Sequence, residues 1–141
     1  MKYVVESFVS VGKIKFGMSK EEVKKIFGKE PASEDKNWIN KTNMMYDNIN
    51  VILNKKGVVD EITFTEGKNE IIFEGMDLYK EKNIIKLLSS KEKPLKSAGD
   101  IIFINMGIGF LQFKYKEERA ITAFAKELNK EYLKISKKYE K

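Results

Sequence analysis

The sequence contains the same pattern twice, and this duplication constrains the fold more than any other feature. Each copy begins with a Gly-Met step that leads into a helical pattern, and two strand-like apolar segments follow at matching distances. The corresponding segments are 17–18, 49–53 and 62–64 in the first copy and 75–76, 108–111 and 121–124 in the second. Two units of about sixty residues would each be marginally stable alone, so we expect them to share one core.

This duplication predicts an α+β fold in which two tandem helix-plus-antiparallel-strand repeats form one continuous sheet, with the helices packed on one face. We expect a single domain over residues 1–141, with repeat one at about 12–66, repeat two at about 70–124 and a C-terminal helix at about 125–139. Apolar segments between turn residues predict the strands. They are expected at 44–46, 50–54 and 58–65 in the first repeat and at 100–105, 107–115 and 119–124 in the second.

The two repeat helices differ in the strength of their local signals. Ser19 and Glu22 have the spacing of a capping box, in which each side chain accepts a hydrogen bond from the other residue's backbone N–H. A helix is therefore predicted at about 20–27. In the second repeat Asp77 takes the place of the capping serine and predicts a helix near 79–89.

The C-terminal segment has the pattern of an amphipathic helix. Apolar side chains recur with helical spacing at Leu128, Tyr132, Ile135 and Tyr139. Lysines follow the same rhythm on the opposite face, at residues 126, 130, 134, 137 and 141. The simplest interpretation is a solvated face on a packed helix, and the alternative is a surface that binds an acidic partner or nucleic acid.

Composition excludes several kinds of chemistry. The chain of 141 residues contains no cysteine and no histidine. It therefore has no disulfide, no thiol nucleophile and no zinc ribbon, and it lacks the side chain that most often acts as a general base or binds transition metals. We predict a non-enzymatic protein that uses no cofactor and no metal ion.

Charge and hydropathy bear on location and partners. The formal net charge is +6, and such a charge affects association with partners rather than the fold. No apolar stretch approaches the length of about 18 residues that spans a bilayer. Glu6 interrupts the apolar N-terminus where a signal peptide would continue. We predict a cytoplasmic protein without a membrane partner.

Two short motifs fail as candidate sites. Gly107-Ile108-Gly109 is a fragment of a dinucleotide-binding loop, but a third glycine is missing and the segment falls in a predicted strand. Asp60 and Glu61 are neighbouring carboxylates in another predicted strand. Because adjacent strand residues point to opposite faces, these two are not expected to hold one ligand together.

Parts of the sequence resemble known families. Residues 14–23, IKFGMSKEEV, and 27–31, FGKEP, resemble the opening of the outer-membrane assembly lipoproteins typified by BamE. The duplication resembles the tandem helix-and-sheet fold of the β-lactamase inhibitory proteins, whose concave sheet binds an enzyme. Over most of its length the chain resembles small immunity proteins that accompany bacterial polymorphic toxins. Because it has no lipoprotein cysteine and no disulfides, the immunity proteins are the best fit.

The resemblance implies an immunity protein that binds a cognate toxin through its C-terminal toxin domain and neutralises it by occlusion, without catalysis. We expect partner contacts from three aromatic residues, Trp38, Tyr46 and Tyr115. Lys114 and Lys116 are expected to steer an acidic partner. Trp38 could equally fold back as a lid over the core. The alternatives are a BamE-like envelope or scaffold module and, with less support, a nucleic-acid-binding protein that uses the lysine-rich helix.

Overall fold

The computed structural model describes residues 1–97, 99–112 and 119–139, with side chains described up to residue 134. The strands of this described part are, in chain order, β1 (Lys2–Glu6), β2 (Ser10–Val11), β3 (Ile14–Lys15), β4 (Ser33–Lys36), β5 (Thr42–Tyr46), β6 (Ile49–Leu53), β7 (Val59–Thr65), β8 (Glu70–Phe73), β9 (Met76–Asp77), β10 (Leu95–Ser97), β11 (Asp100–Phe103), β12 (Ile108–Leu111) and β13 (Ala120–Phe124). The helices are α1 (Lys20–Phe27), α2 (Ile84–Ser89) and α3 (Asn129–Tyr139), and a 3-10 turn at Lys126–Leu128 precedes α3.

In the described residues these strands form two sheets. The smaller has five strands in the order β3-β2-β1-β8-β9, and the larger has eight in the order β10-β11-β12-β13-β7-β6-β5-β4. β1 and β8 are parallel, whereas neighbouring strands of the larger sheet are antiparallel. The larger sheet is thus two four-stranded meanders joined where β7 pairs with β13.

The predicted α+β fold, with one continuous sheet carrying helices on one face, is wrong. The protein is mostly β, and the strands of its described part divide between two sheets. The N-terminal residues, which carried no strand prediction, pair with β8, a segment almost half the chain length away. Parallel pairing between such distant segments leaves no local signal, because neither strand is joined to the other by a turn.

The second helix also differs from its prediction. Asp77 lies in β9, where its Oδ1 accepts hydrogen bonds from the backbone N–H groups of Tyr79 at 2.9 Å and Lys80 at 3.1 Å. The carboxylate thus closes a turn, and α2 begins only at Ile84. The residue that does precede this helix, Asn83, has a left-handed φ of 61° and no capping side-chain hydrogen bond.

The two helices that were predicted from capping residues or apolar periodicity within their own segments, α1 and α3, are confirmed. α1 spans Lys20–Phe27, and both hydrogen bonds of the Ser19–Glu22 capping box are present. It ends at Gly28, whose φ of 70° is the left-handed conformation that glycine adopts most readily. The C-terminal helix is confirmed over Asn129–Tyr139, with the 3-10 turn in front of it.

The main core lies between the two sheets. Tyr3 of β1 and Phe64 of β7 bring their ring centroids within 5.2 Å of each other. Val23 of α1 and Leu88 of α2 belong to the same buried cluster. One face of the larger sheet is therefore committed to packing against the smaller sheet and the short helices.

A second apolar cluster lies on the opposite face of the larger sheet. It joins Ile102 and Phe124 to Leu128 of the 3-10 turn, and Tyr132 of α3 packs against it. The rings of Phe124 and Tyr132 are 4.6 Å apart. The 3-10 turn and the start of α3 are thereby held against this face, where they form one wall of the groove described next.

Candidate functional site

An irregularity in β7 places a carboxylate in the interior. Ile52 pairs with Glu61 and Leu53 pairs with Val59, so Asp60 is an additional residue on β7. A bulge of this kind breaks the alternation of side chains along a strand. Val59 and Asp60 are consequently both buried. The backbone carbonyl of Asp60 also accepts a hydrogen bond from the N–H of Ala125 at 2.8 Å, which fixes the start of the 3-10 turn.

The buried carboxylate forms an ion pair with a lysine. Lys41 Nζ lies 3.1 Å from Asp60 Oδ2, and the two side chains are 15% and 6% exposed. The other oxygen, Oδ1, is buried and has no hydrogen-bond partner in the described part of the chain. Since a buried acceptor without a partner costs about 1–3 kcal/mol, a donor that reached this oxygen would be stabilising.

Burial and the neighbouring lysine act on the pKa of Asp60 in opposite directions. Burial raises the pKa of its carboxyl, and the Lys41 ammonium opposes this rise without cancelling it. The nearby carboxylates of Glu131 and Glu127 add to the rise in pKa. Asp60 therefore lies in a position where an additional positive group would be favourable.

Asp60 lines a solvent-connected groove of about 800 Å³, hereafter the Asp60 groove. Its walls come from the connection between β4 and β5, from the β6–β7 turn, and from the 3-10 turn with α3. Its lining combines apolar, acidic and basic side chains: Ile39, Lys41, Asn54, Lys55, Lys56, Val58, Asp60, Glu127, Leu128, Glu131 and Lys134. Such a mixture is suited to binding a charged group beside an apolar one.

A well-ordered hairpin tip lies beside the groove. Asn37 Oδ1 accepts hydrogen bonds from the backbone N–H groups of Ile39 at 3.1 Å and Lys41 at 2.9 Å. The N–H of Asn37 donates to the Lys41 carbonyl at 2.8 Å. These hydrogen bonds brace the tip, at which Trp38 is 93% exposed and Ile39 is 45% exposed. Trp38 is therefore not a lid over the core.

The structure places the other predicted contact residues differently. Tyr46 is only 4% exposed. Its ring stacks on Phe27 at a centroid distance of 3.8 Å, and its hydroxyl donates to the carbonyl of Lys29 at 3.0 Å. Tyr46 is therefore a core residue in this conformation and offers little surface to a partner. The remaining predicted residues, Lys114, Tyr115 and Lys116, lie outside the described residues.

The sequence interpretation missed the centre of the groove. Asp60 was set aside with Glu61 because adjacent strand residues point to opposite faces, and the bulge at Asp60 breaks that alternation. Its partner Lys41 was not identifiable, because the pair forms only once β5 and β7 occupy their positions on either side of β6.

The neighbouring carboxylate helps to anchor α3. Glu61 Oε2 accepts hydrogen bonds from the hydroxyls of Thr122 at 2.7 Å and Tyr132 at 2.9 Å. Burial raises the pKa of Glu61, and these two hydrogen bonds oppose the rise. Asp60 and Glu61 thus form hydrogen bonds with different residues.

Two further observations concern cofactors and membranes. Among the described residues, no group of three or more acidic, histidine or cysteine side chains is arranged to hold a metal ion. No helix in the described part of the chain is long and apolar enough to span a membrane.

Neither the families nor the curated proteins contain a match to the sequence, and no solved structure matches the fold.

Proposed function

We propose that this protein is an immunity protein that binds the toxin domain of a cognate bacterial toxin and neutralises it by occlusion, without catalysis. The observation that carries the proposal is the exposure of Trp38 at the tip of an ordered hairpin. Trp38 and its neighbour Ile39 together expose apolar surface that a partner could cover. Tryptophan is also among the residues most enriched at the energetic centres of protein interfaces.

The surroundings of Trp38 support an interface of ordinary size. The exposed strand β4 leads into the tip and forms one edge of the larger sheet. The Asp60 groove is next to the tip, because Ile39 of the tip forms part of its lining. A standard interface needs about 800 Å² from each partner, which the tip, the edge strand and the groove are well placed to provide together.

The proposal is tested by co-expressing this protein with the product of the adjacent gene in a host that the product poisons. We expect the native protein to restore growth and W38A to weaken binding of the purified partner by at least about 2 kcal/mol, as at interface hot spots. The control is V4A, which shortens an exposed apolar side chain on β1. Restored growth should be retained by V4A.

Two results would contradict the proposal. One is the absence of both rescue and complex formation with the adjacent product. The other is retention of nucleic acid by the purified protein with an affinity that falls steeply as salt rises, which is the signature of phosphate binding by lysines.

A further inference from the structure

We infer that the Asp60 groove receives a loop of the partner protein in which one arginine is flanked by acidic residues. The arginine is bound at Asp60, and the acidic neighbours are bound by lysines at the rim. This inference deepens the proposed function and rests on it for the identity of the partner. It adds the chemistry by which the partner is recognised.

The floor of the groove calls for a positively charged hydrogen-bond donor. Asp60 has one oxygen without a partner in the described residues, and its side chain is 6% exposed. Because Asp60 lines the groove, a donor can approach its carboxylate from that side, and it reaches the solvent-inaccessible Oδ1 once the side chain turns towards the groove. A guanidinium carries five N–H donors in a rigid fork, so it can satisfy a buried carboxylate while Lys41 keeps its own bond.

Two more carboxylates favour a cation in the same place. Glu127 and Glu131 line the groove and are exposed. Neither forms an ion pair within the described part of the chain. A guanidinium at Asp60 would therefore be close to carboxylates that are free to turn towards it.

The rim determines what must flank the cation. Lys55, Lys56 and Lys134 are exposed residues of the groove lining. An isolated arginine would be repelled by these ammonium groups, whereas acidic residues on either side of it would pair with them. The alternating charges of the groove therefore match a ligand of alternating charge better than a uniformly basic one.

The size and position of the groove favour a protein loop over a single ion. Its volume of about 800 Å³ is at the upper end of the range for drug-sized ligands. Ile39 belongs both to the lining and to the tip that presents Trp38. A partner that covers Trp38 consequently places its neighbouring loop over the groove.

The inference is tested with the full chain and the peptide N-acetyl-Asp-Arg-Glu-amide, followed by backbone amide shifts in NMR spectra. We expect saturable shifts at Ile39, Lys41, Asp60 and Glu131. Replacing the arginine with citrulline keeps the shape but removes the charge, and should weaken binding by at least about tenfold. Replacing the flanking acids with Asn and Gln should also weaken it.

Protein variants test the same contacts from the other side. E127Q/E131Q changes exposed side chains, so it should fold normally and bind the arginine peptide more weakly. E6Q, an exposed carboxylate of β1, is the matched control and should bind it as the native protein does. D60N should abolish the preference for arginine over citrulline. If D60N does not fold, E127Q/E131Q and the citrulline peptide decide the question.

Equal binding of the arginine and citrulline peptides, or shifts confined to other surfaces, would overturn the inference. These outcomes are separable from failure of the proposed function. Peptide binding without rescue of growth would retain the groove and remove the toxin as its partner. Rescue that persists in E127Q/E131Q, without any peptide binding by the native protein, would retain the toxin and remove the groove.

Discussion

Two adjacent carboxyl groups, Asp60 and Glu61, are kept largely from water at the bulge of β7. Asp60 is accompanied by a lysine and retains one unsatisfied oxygen. Glu61 accepts two hydroxyl hydrogen bonds beneath α3. Asp60 therefore has one oxygen that could accept a hydrogen bond from a ligand. Glu61 instead uses its hydrogen bonds to hold α3 against the sheet. The two acids therefore differ in function because their surroundings differ.

Glu61 leads to a prediction about pH. Burial raises its pKa above the ordinary value of 4.5, so the folded state holds the proton to higher pH than the unfolded chain does. The stabilisation from this group is therefore fully present below pH 4.5. It is lost as pH rises through the folded pKa, with a slope of at most about 1.4 kcal/mol per pH unit.

We predict that E61Q removes this loss, because glutamine can accept the same hydroxyl hydrogen bonds without a charge. The free energy of unfolding of E61Q should therefore increase relative to that of the native protein as pH rises above 4.5. Urea denaturation over a range of pH measures this difference, and E6Q is the exposed control. A difference that stays constant with pH would show that Glu61 ionises alike in both states.

The exposure of two aromatic residues, Trp38 and Tyr46, could not be predicted from the sequence. Exposure of Trp38 could not be decided from a polar loop, because it depends on the hydrogen bonds that Asn37 Oδ1 accepts from the backbone N–H groups of Ile39 and Lys41. The residues beside Tyr46 in the sequence do not distinguish an exposed aromatic residue from a buried one. In the structure, Tyr46 stacks on Phe27 of α1. In both cases the deciding contact is made by a residue that the pattern does not identify.

Among the elements, α1 is the one whose limits the sequence specified best. Its start depends on two residues of one turn, since Ser19 Oγ accepts from the Glu22 N–H at 3.3 Å and Glu22 accepts from the Ser19 N–H at 3.2 Å. We predict that S19A lowers the free energy of unfolding by about 1 kcal/mol, the usual cost of losing an N-cap. Chemical denaturation measures this change.

S33A is a suitable control for that measurement, because Ser33 is an exposed serine of β4. A surface substitution of this kind should stay within about 0.5 kcal/mol of the native value. An equal effect of S19A and S33A would mean that the capping hydrogen bonds contribute nothing measurable to stability.

α2 illustrates the opposite case. The acid that was expected to cap it, Asp77, instead closes a turn with Tyr79 and Lys80. Both uses satisfy backbone N–H groups with the same carboxylate oxygen, so the local sequence is compatible with either. Strand pairing of β9 with β8 decides between them, and this pairing depends on the rest of the smaller sheet.

At the scale of the whole molecule, local sequence patterns could not predict that the strands form two sheets. Most strands of the larger sheet follow one another through short turns, and their approximate positions were predictable. The smaller sheet depends on parallel pairing between β1 and β8, and the division into two sheets follows from that contact. A contact between distant segments is a property of the assembled core rather than of either segment.

The shared core leads to a last prediction, that the chain unfolds as one unit. Ile14 of β3 and Ile62 of β7 lie in different sheets, yet both are fully buried in the same cluster. We expect I14V and I62V each to lower the free energy of unfolding by about 1 kcal/mol. Each should lower it equally for amides of both sheets, because the sheets bury one common set of side chains.

Urea denaturation followed by amide signals from each sheet makes this measurement. V9A, at a residue that is 46% exposed, should leave the midpoint nearly unchanged. If I14V instead shifted only the signals of the smaller sheet, that sheet would unfold separately. The Tyr3–Phe64 contact would then be a docking contact between two units, and the groove beside α3 would belong to the larger sheet alone. A single shared transition would show that the hairpin tip and the groove are supported by the entire fold.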